Sequence, residues 1–299
     1  MTDPPTTQTI CAVVVTYHPD SGLADRIEKI TRQVGQTVIV DNGSRSSCVE
    51  QIREVVERLG IHLIPNASNE GMACALNTGV RWAASQGYKW VLTLDQDTEV
   101  APDMVDSIAE VFESYPSPER AAVIGSNYRH KGSGKVWYSE PIGHNLSPWR
   151  EIETVLTSGS LISIEVFEAI GGFRDDFFVD CVDQEYCLRA RAHGYRVLMT
   201  SKPVMIHGMG FPTEHRLLGR KFGTSNHSPL RRYFVARNSV ILVREYLRAE
   251  PQWLFWYLWT YAKSMVLICL FEDQRILKVK STFRGFIDGI LGRRSPVGD

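Results

Sequence analysis

The sequence predicts an α/β fold, a mostly parallel central sheet flanked by helices, with a C-terminal helical appendage. Three observations carry this. Unbroken β-branched runs, "CAVVVTY" first among them, read as strands buried on both faces. Strand-like and helix-spaced segments alternate four times within about 100 residues, which implies crossover connections and parallel pairing. From residue 231 onward, helical, aromatic and basic stretches replace the alternation.

Each element has its own signal. After "CAVVVTY", the stretch "HPDSGLADRIEKITRQ" is a loop and a helix, with Leu23, Ile27 and Ile30 at helical spacing. "TVIVDNGS" is a second strand that ends in turn residues. "CVEQIREVVERLG" is a helix closed by Gly60, and "IHLIPNAS" a third strand. "EGMACALNTGVRWAASQG" is a helix stopped by Gly87, and "YKWVLTLDQD" the fourth strand. Beyond the helix "PDMVDSIAEVFESY" lies a Pro/Ser/Gly-rich stretch, 116–148, with strand-like pieces "AAVIGSNY" and "GKVWYSE". A mixed half follows through "LTSGSLISIEVFEAIGGF", "FFVDCVDQEYCLRARAHGYRVLMT" and "KPVMIHGMG", then the amphipathic helix "HSPLRRYFVARNSVILVREY". No internal repeat interrupts this order.

Composition narrows the function classes. With 299 residues, 43% of them hydrophobic and 22% charged, the chain can bury a sizeable core. Its 33 basic and 34 acidic residues leave a net charge of −1, so no overall field favours nucleic acid, and none is expected as a partner. The six cysteines fit no metal or redox spacing, and no secretory signal precedes the first strand. Reduced thiols in a cytoplasmic protein are the expectation.

Two carboxylates pose the sharpest question. In "WVLTLDQDTEV" an apolar strand delivers Asp95 and Asp97, flanking Gln96, although strands disfavour Asp and acids at the end of a buried run need a positive partner. In parallel sheets ligands bind beyond the carboxyl ends of the strands, where Thr16–Tyr17, Asp41–Asn42 and Asp95–Asp97 all fall. Neither G-x-G-x-x-G nor G-x-x-x-x-G-K-[ST] is present to cradle phosphate in backbone amides. A hard divalent cation, Mg²⁺ or Mn²⁺, held by Asp95 and Asp97 and shared with a diphosphate, supplies the missing positive charge.

At this point the residues resemble a known family. "VVVTYHPD", "VIVDNGS", "NEGMACALNTGV" and "VLTLDQD" occur in the order and spacing of family 2 glycosyltransferases with the Rossmann-like GT-A fold. "FFVDCVDQEYCLRARAHGYRV" is similar to that family's acceptor-side motif, commonly E-D-x-D-x-x-x-R. The wording "LDQD", with "RRYFVARNSVIL" and a basic C-terminal helix, resembles more narrowly the bacterial L-rhamnosyltransferases that use dTDP-rhamnose. The polar, Pro-containing "MTDPPTTQT" reads as a tail over 1–9, and the resemblance implies a catalytic domain over 10–230, divided into a nucleotide-binding half (10–115) and an acceptor half (116–230). Residues 231–299 form the helical region.

The resemblance also implies roles. Asp41 would accept a hydrogen bond from a pyrimidine imide, which is the same in thymine and uracil, and Thr16 and Tyr17 would line that base pocket. Asn69 and Gly71 would lie where the chain approaches the nucleotide, with Asn77 as a polar support. Asp95, with Gln96 beside it, would face the sugar or ribose. Asp97 would be the principal metal ligand and His207 a third one. Asp183 would be the catalytic base, taking the acceptor hydroxyl's proton in a single inverting displacement. Val182 stands where the family often has Glu, and Glu185 where Asp is common, so Glu185 is a rival base and Asp180 a third candidate. Arg231, Arg232 and Arg237 would contact diphosphate or an anionic acceptor lipid. Their alternative is a solvated helix face. The implied donor is dTDP-β-L-rhamnose and the acceptor a hydroxyl of a bacterial glycan or glycolipid; another UDP- or dTDP-hexose remains the alternative. A non-catalytic carbohydrate-binding protein on the same fold would lack the metal acids or the base, and a nucleotidyltransferase would want basic residues in "TYHPDSG".

The segment "PQWLFWYLWTYAKSMVLICLF" has four aromatic residues within Trp253–Tyr257 and one charge, Lys263. It is long enough to span a bilayer, but Lys263 near its middle argues against a span. With the basic, apolar-spaced helix that follows, it reads as an anchor lying on the inner face of the cytoplasmic membrane. A packed helical hairpin or a homodimer contact is the other reading.

Overall fold

The computed structural model describes residues 3–139, 147–208, 213–217 and 220–293. They group into two compact units, Met1–Asp175 with Val182–Gly208, and Asp176–Cys181 with Met209–Asp299.

The first unit follows the predicted alternation. Strand β1 (Ile10–Thr16) is buried at every position, as its unbroken apolar run requires. Helix α1 (Leu23–Thr31) turns Leu23, Ile27 and Ile30 inward. Strand β2 (Gln36–Asp41) leads to α2 (Ser46–Leu59), which ends on Gly60 in the left-handed region at φ 65°. Then come β3 (His62–Pro65), α3 (Met72–Ser85) and β4 (Trp90–Asp95). Gly79 lets α3 lie close on the sheet, since a Cβ there would stand 2.3 Å from Val13 Cγ1.

The second half of this unit is less regular. It comprises β5 (Glu99–Val100), α4 (Met104–Ser114), β6 (Ala121–His130), β7 (Trp149–Glu151) and β8 (Ser160–Ser163). Helices α5 (Ile164–Ile170) and α6 (Val182–Ala192) and the long β9 (Arg196–His207) complete it. The sheet order is β3-β2-β1-β4-β8-β6-β9-β5, with β7 also on β9. Pairing is parallel from β3 through β4. Beyond β4 the sheet is mixed: β8 runs antiparallel to β4 and β6, β9 parallel to β6, and β5 antiparallel to β9. One core cluster runs along the sheet through Ile39, Leu92, Trp90 and Ile124. Burying each such aliphatic side chain stabilises the unit by roughly 1.5–3 kcal/mol.

The second unit opens with a hairpin that the sequence reading lacked, β10 (Thr213–Leu217) and β11 (Arg220–Thr224). Three helices follow: α7 (Pro229–Tyr246), α8 (Pro251–Phe271) and α9 (Arg275–Leu291). Helix α7 starts where Ser228 Oγ accepts from Arg231 N and Pro229 takes the first turn. The compact unit therefore begins ahead of the expected boundary at residue 231, and it also takes in 176–181, whose carbonyls at Phe177, Val179 and Asp180 all accept from Asn238 Nδ2. Helices α7 and α9 approach to backbone contact at Gly285 and Gly289, where a Cβ would stand 2.3 Å from Tyr233 O and 2.8 Å from Arg237 O. At one end of the pair, buried Glu272 lies between Arg232 (2.7 Å) and Lys278 (2.9 Å), one acid shared by two buried cations, while Arg232 Nε finds no partner among the described residues.

His227, just ahead of α7, gives this unit an acid-sensitive point. Burial lowers its pKa from 6.5 to about 4, with Arg231 acting in the same direction. The unfolded chain therefore binds the extra proton between those values, and the contribution is complete above 6.5 and lost as the pH falls toward 4. Replacing His227 with Gln should flatten the fall of the thermal midpoint across that window, measured by circular dichroism melts at stepped pH.

Candidate active site

The site lies on the carboxyl rim of the sheet within the first unit. Pairing register puts Thr16, the last residue of β1, beside Asp41, and Val15 beside Asp95. Asp41 and Asp95 thus flank the end of β1 on its two sides. With strands about 4.8 Å apart, their backbones are roughly 10 Å from each other.

Asp97 and His207 come together for a different reason. The chain leaves β4 through Gln96–Thr98 and enters β5, which pairs with the end of β9 as Glu99 opposite Ile206. That register sets Thr98 against His207, the last residue of β9. Thr98 Oγ1 is 3.1 Å from His207 Nδ1 and 2.6 Å from Ser158 Oγ, and Ser158 Oγ accepts from Asp95 N at 3.0 Å. Read in one direction the network is self-consistent: imidazole Nδ1–H donates to Thr98, Thr98 donates to Ser158, and Nε2 keeps its lone pair facing the acids.

Nε2 of His207 stands 4.0 Å from Asp95 Oδ2, too far for a hydrogen bond yet close enough for both to reach one ion. One ligand atom each from Asp95, Asp97 and His207 lies within 4.8 Å of the others. Their exposure is graded, from buried His207 through half-buried Asp95 to exposed Asp97. Two carboxylate oxygens and a neutral imidazole suit a hard or borderline divalent ion, and the exposed side leaves room for a ligand's own oxygens. Thr98 and Ser158 escaped the sequence reading, because a hydroxyl that orients a ligand has no spacing signature. Thr98→Val should weaken Mn²⁺ binding about 10- to 100-fold with the fold intact, as measured by calorimetric titration.

The other predicted residues divide by what their polar atoms already hold. Asp41 is buried and accepts from Thr16 Oγ1 (2.9 Å), Ser44 N (2.9 Å) and Ser44 Oγ (2.6 Å). Gln96 clamps the rim, accepting from Tyr17 N at 2.8 Å and donating to Tyr17 O at 3.2 Å, while Arg26 Nε holds its carbonyl. Tyr17 itself is exposed. Asn69 accepts from Asn42 Nδ2 and Gly71 N, both at 3.0 Å, and Gly71 opens α3 at φ 89°. The hub of this loop is Asn42, absent from the predicted set, which also accepts from Asn66 Nδ2 and Glu70 N.

Asn77 has both of its amide hydrogens engaged. It donates to Phe173 O (2.7 Å) and Asp175 Oδ1 (2.7 Å) and accepts from Phe173 N (2.8 Å). It holds 173–175 against α3.

Asp183 is in the first turn of α6, half-buried, with Gln184 N donating to its Oδ1 at 3.0 Å. Glu185 is placed differently. That side chain is 1% exposed and grips Arg189 at both oxygens, each at 3.0 Å, while Arg189 also donates to the carbonyls of Ile170, Gly171 and Gly172. Asp180 is likewise engaged, by Arg231 at 2.8 Å in the second unit.

Arg232 and Arg237 require a plain correction. Both are buried in the second unit and committed inside it, Arg232 to Glu272 and Ser225, Arg237 to the carbonyls of Asp176 and Arg293 and to Asn238 Oδ1. They bind the fold of that unit and do not present a charge to a diphosphate. Of the expected acceptor half over 116–230, residues 140–146, 209–212 and 218–219 lie outside the described residues. Tyr128 packs edge-on to His207, with ring centroids 6.0 Å apart.

Comparison with known proteins agrees with this fold. The chain is 28% identical over 248 residues to the dTDP-rhamnosyl transferase RfbF of Shigella flexneri, covering 79% of this chain and 80% of that one. It is 24% identical over 201 residues to the low-salt glycan biosynthesis hexosyltransferase Agl10 of Haloferax volcanii, 62% of each chain. Its fold matches that of S. aureus TarS 1-349 with a TM-score of 0.59 at 14% identity, covering 94% of this chain and 81% of that one. It also matches a mannosyltransferase of Pyrobaculum calidifontis solved with GDP-Man and Mn²⁺, at TM-score 0.57 and 17% identity, covering 97% and 90%. The sequence pattern of glycosyl transferase family 2 covers residues 11–177, more than half of the chain. With the acids and the histidine gathered at the strand ends of a GT-A sheet, the chain belongs to glycosyl transferase family 2.

Proposed function

We propose that this glycosyltransferase moves L-rhamnose from dTDP-β-L-rhamnose to a hydroxyl of a bacterial glycan or glycolipid, with inversion and with a divalent metal. The observation that carries the metal-dependent reading is the convergence of Asp95, Asp97 and His207 on one point. Likeness to a dTDP-rhamnosyl transferase over four-fifths of both chains supports the donor.

The residues divide the work. Asp95, Asp97 and His207 would hold Mg²⁺ or Mn²⁺, which when bound offsets the negative charge that grows on the departing diphosphate. Asp41 has one lone pair of Oδ2 beyond its internal hydrogen bonds, the natural place to receive a pyrimidine imide N–H. Asp183 accepts the acceptor hydroxyl's proton as that oxygen bonds to the anomeric carbon and the carbon–phosphate oxygen bond breaks. One displacement without a covalent intermediate converts the β-linked donor into an α-L-rhamnoside.

The test is a donor screen with Mg²⁺ or Mn²⁺, following release of dTDP or UDP from a panel of sugar nucleotides. Turnover confined to dTDP-rhamnose supports the proposal. Turnover confined to a UDP-hexose would overturn the rhamnose assignment and favour the hexosyltransferase alternative, for which the 24% likeness to a glycan hexosyltransferase speaks.

A further inference from the structure

Helix α8 is the most exposed apolar element among the described residues. Of its residues Leu254 and Ile268 are buried, whereas Phe255 (64%), Trp256 (65%), Trp259 (51%) and Leu270 (59%) face outward. Helix α9 adds Ile276, Phe283 and Ile290, each about two-thirds exposed, in a row spaced seven residues apart. Surfaces of this kind need an occupant.

Helix direction excludes the simplest one. Asn226, ahead of α7, meets Glu272 and Asp273 just past the end of α8, and Ser239 in α7 meets Tyr257 in α8 at 2.7 Å. Helix α8 therefore runs back alongside α7. Helix α9 then runs parallel to α7, with Gly285 at Tyr233 and Gly289 at Arg237. For α8 to cross a bilayer, α7 would have to enter with it, carrying exposed Arg231, Arg244 and Glu245. Lys263, exposed midway along α8, would also lie at the bilayer centre.

Charge selects among the remaining occupants. The exposed charged residues within α8 and α9 are Lys263, Arg275, Lys280 and Arg284, all basic, against one exposed acid in the turn between them, Asp273; the acid of α9, Asp288, is buried 3.8 Å from Arg284. A second copy of the chain would bring this cationic surface against itself. Tryptophans beside cations are what an anionic lipid surface receives, rings at headgroup depth and ammonium or guanidinium groups on phosphate. We infer that α8 and α9 lie flat on an anionic membrane surface, holding this enzyme at the bilayer without crossing it. The inference stands on exposure, helix direction and charge, and does not depend on which sugar is transferred.

Cosedimentation of the full chain with vesicles tests it. Binding is expected to vesicles of phosphatidylcholine with phosphatidylglycerol and to fall sharply in high salt, with little binding to phosphatidylcholine alone. Arg275→Glu with Lys280→Glu should weaken that binding about 30-fold or more. Trp256→Ser with Trp259→Ser should also lower it, with melting curves unchanged because all four side chains are exposed. Equal binding to both vesicle types, variants that bind like the parent, or retention in the membrane after alkaline carbonate extraction would each overturn the inference. So would a stable dimer in sedimentation velocity that the tryptophan pair abolishes.

Discussion

Replacing Asp183 with Asn should reduce transfer by roughly 10²- to 10⁴-fold while nucleotide-sugar affinity stays within about twofold. Asn has the same shape, and Gln184 N can still donate to its side-chain oxygen, so the first turn of α6 should keep its geometry. What disappears is the site that takes the proton. Glu185→Gln is the matching control. It breaks a buried two-point grip on Arg189, and loss of one partner of such a pair costs about 3–5 kcal/mol of stability. The two acids, two positions apart on one helix, should thus fail in different assays, Asp183 in turnover and Glu185 in melting. Wild-type turnover by the Asp183 variant would remove the base from the proposed mechanism.

Asp97→Asn should be nearly as damaging by another route. Asp97 is the exposed member of the proposed metal group, so its loss should not unfold the chain. An amide oxygen is a weaker ligand than a carboxylate, and stabilisation of the leaving diphosphate is worth several kilocalories per mole, so turnover should fall by about 10³-fold. The saturation curve for Mn²⁺ should move to much higher concentration, and added metal should recover part of the rate. A variant with unchanged metal dependence would show that the ion is held elsewhere.

Much of the fold, and the candidates that it gathers at Asp95, Asp97 and His207, was legible in the sequence, for a definite reason. Continuous β-branched runs, glycines closing helices and acids at strand ends are local signals, and they located β1 to β4 and the rim. His207 was joined to Asp95 and Asp97 by the family resemblance alone, which puts a histidine after a late strand, here "KPVMI". The rest depended on contacts between distant residues. Thr98 and Ser158 are 60 positions apart, and no spacing links them. Arg232 and Arg237 read as a basic helix face because their partners, Glu272 and the carbonyls of Asp176 and Arg293, come from segments remote in sequence. Antiparallel β8, inserted between β4 and β6, has no local sign of its place. Glu185 could have been recognised, since Arg189 is four residues on, one helical turn away, whereas Asp183 is six residues from it.

The close approach of α9 to α7 has a consequence for how this chain can vary. At Gly285 and Gly289 the obstacle is a main-chain carbonyl, which cannot yield without disturbing α7, so those positions admit a hydrogen atom and no more. Ile276, Phe283 and Ile290, on the same helix, meet no such obstacle. Substitution can therefore retune one side of α9 freely while the opposite side stays frozen, and whatever the outer row adheres to can be adjusted without cost to the architecture beneath.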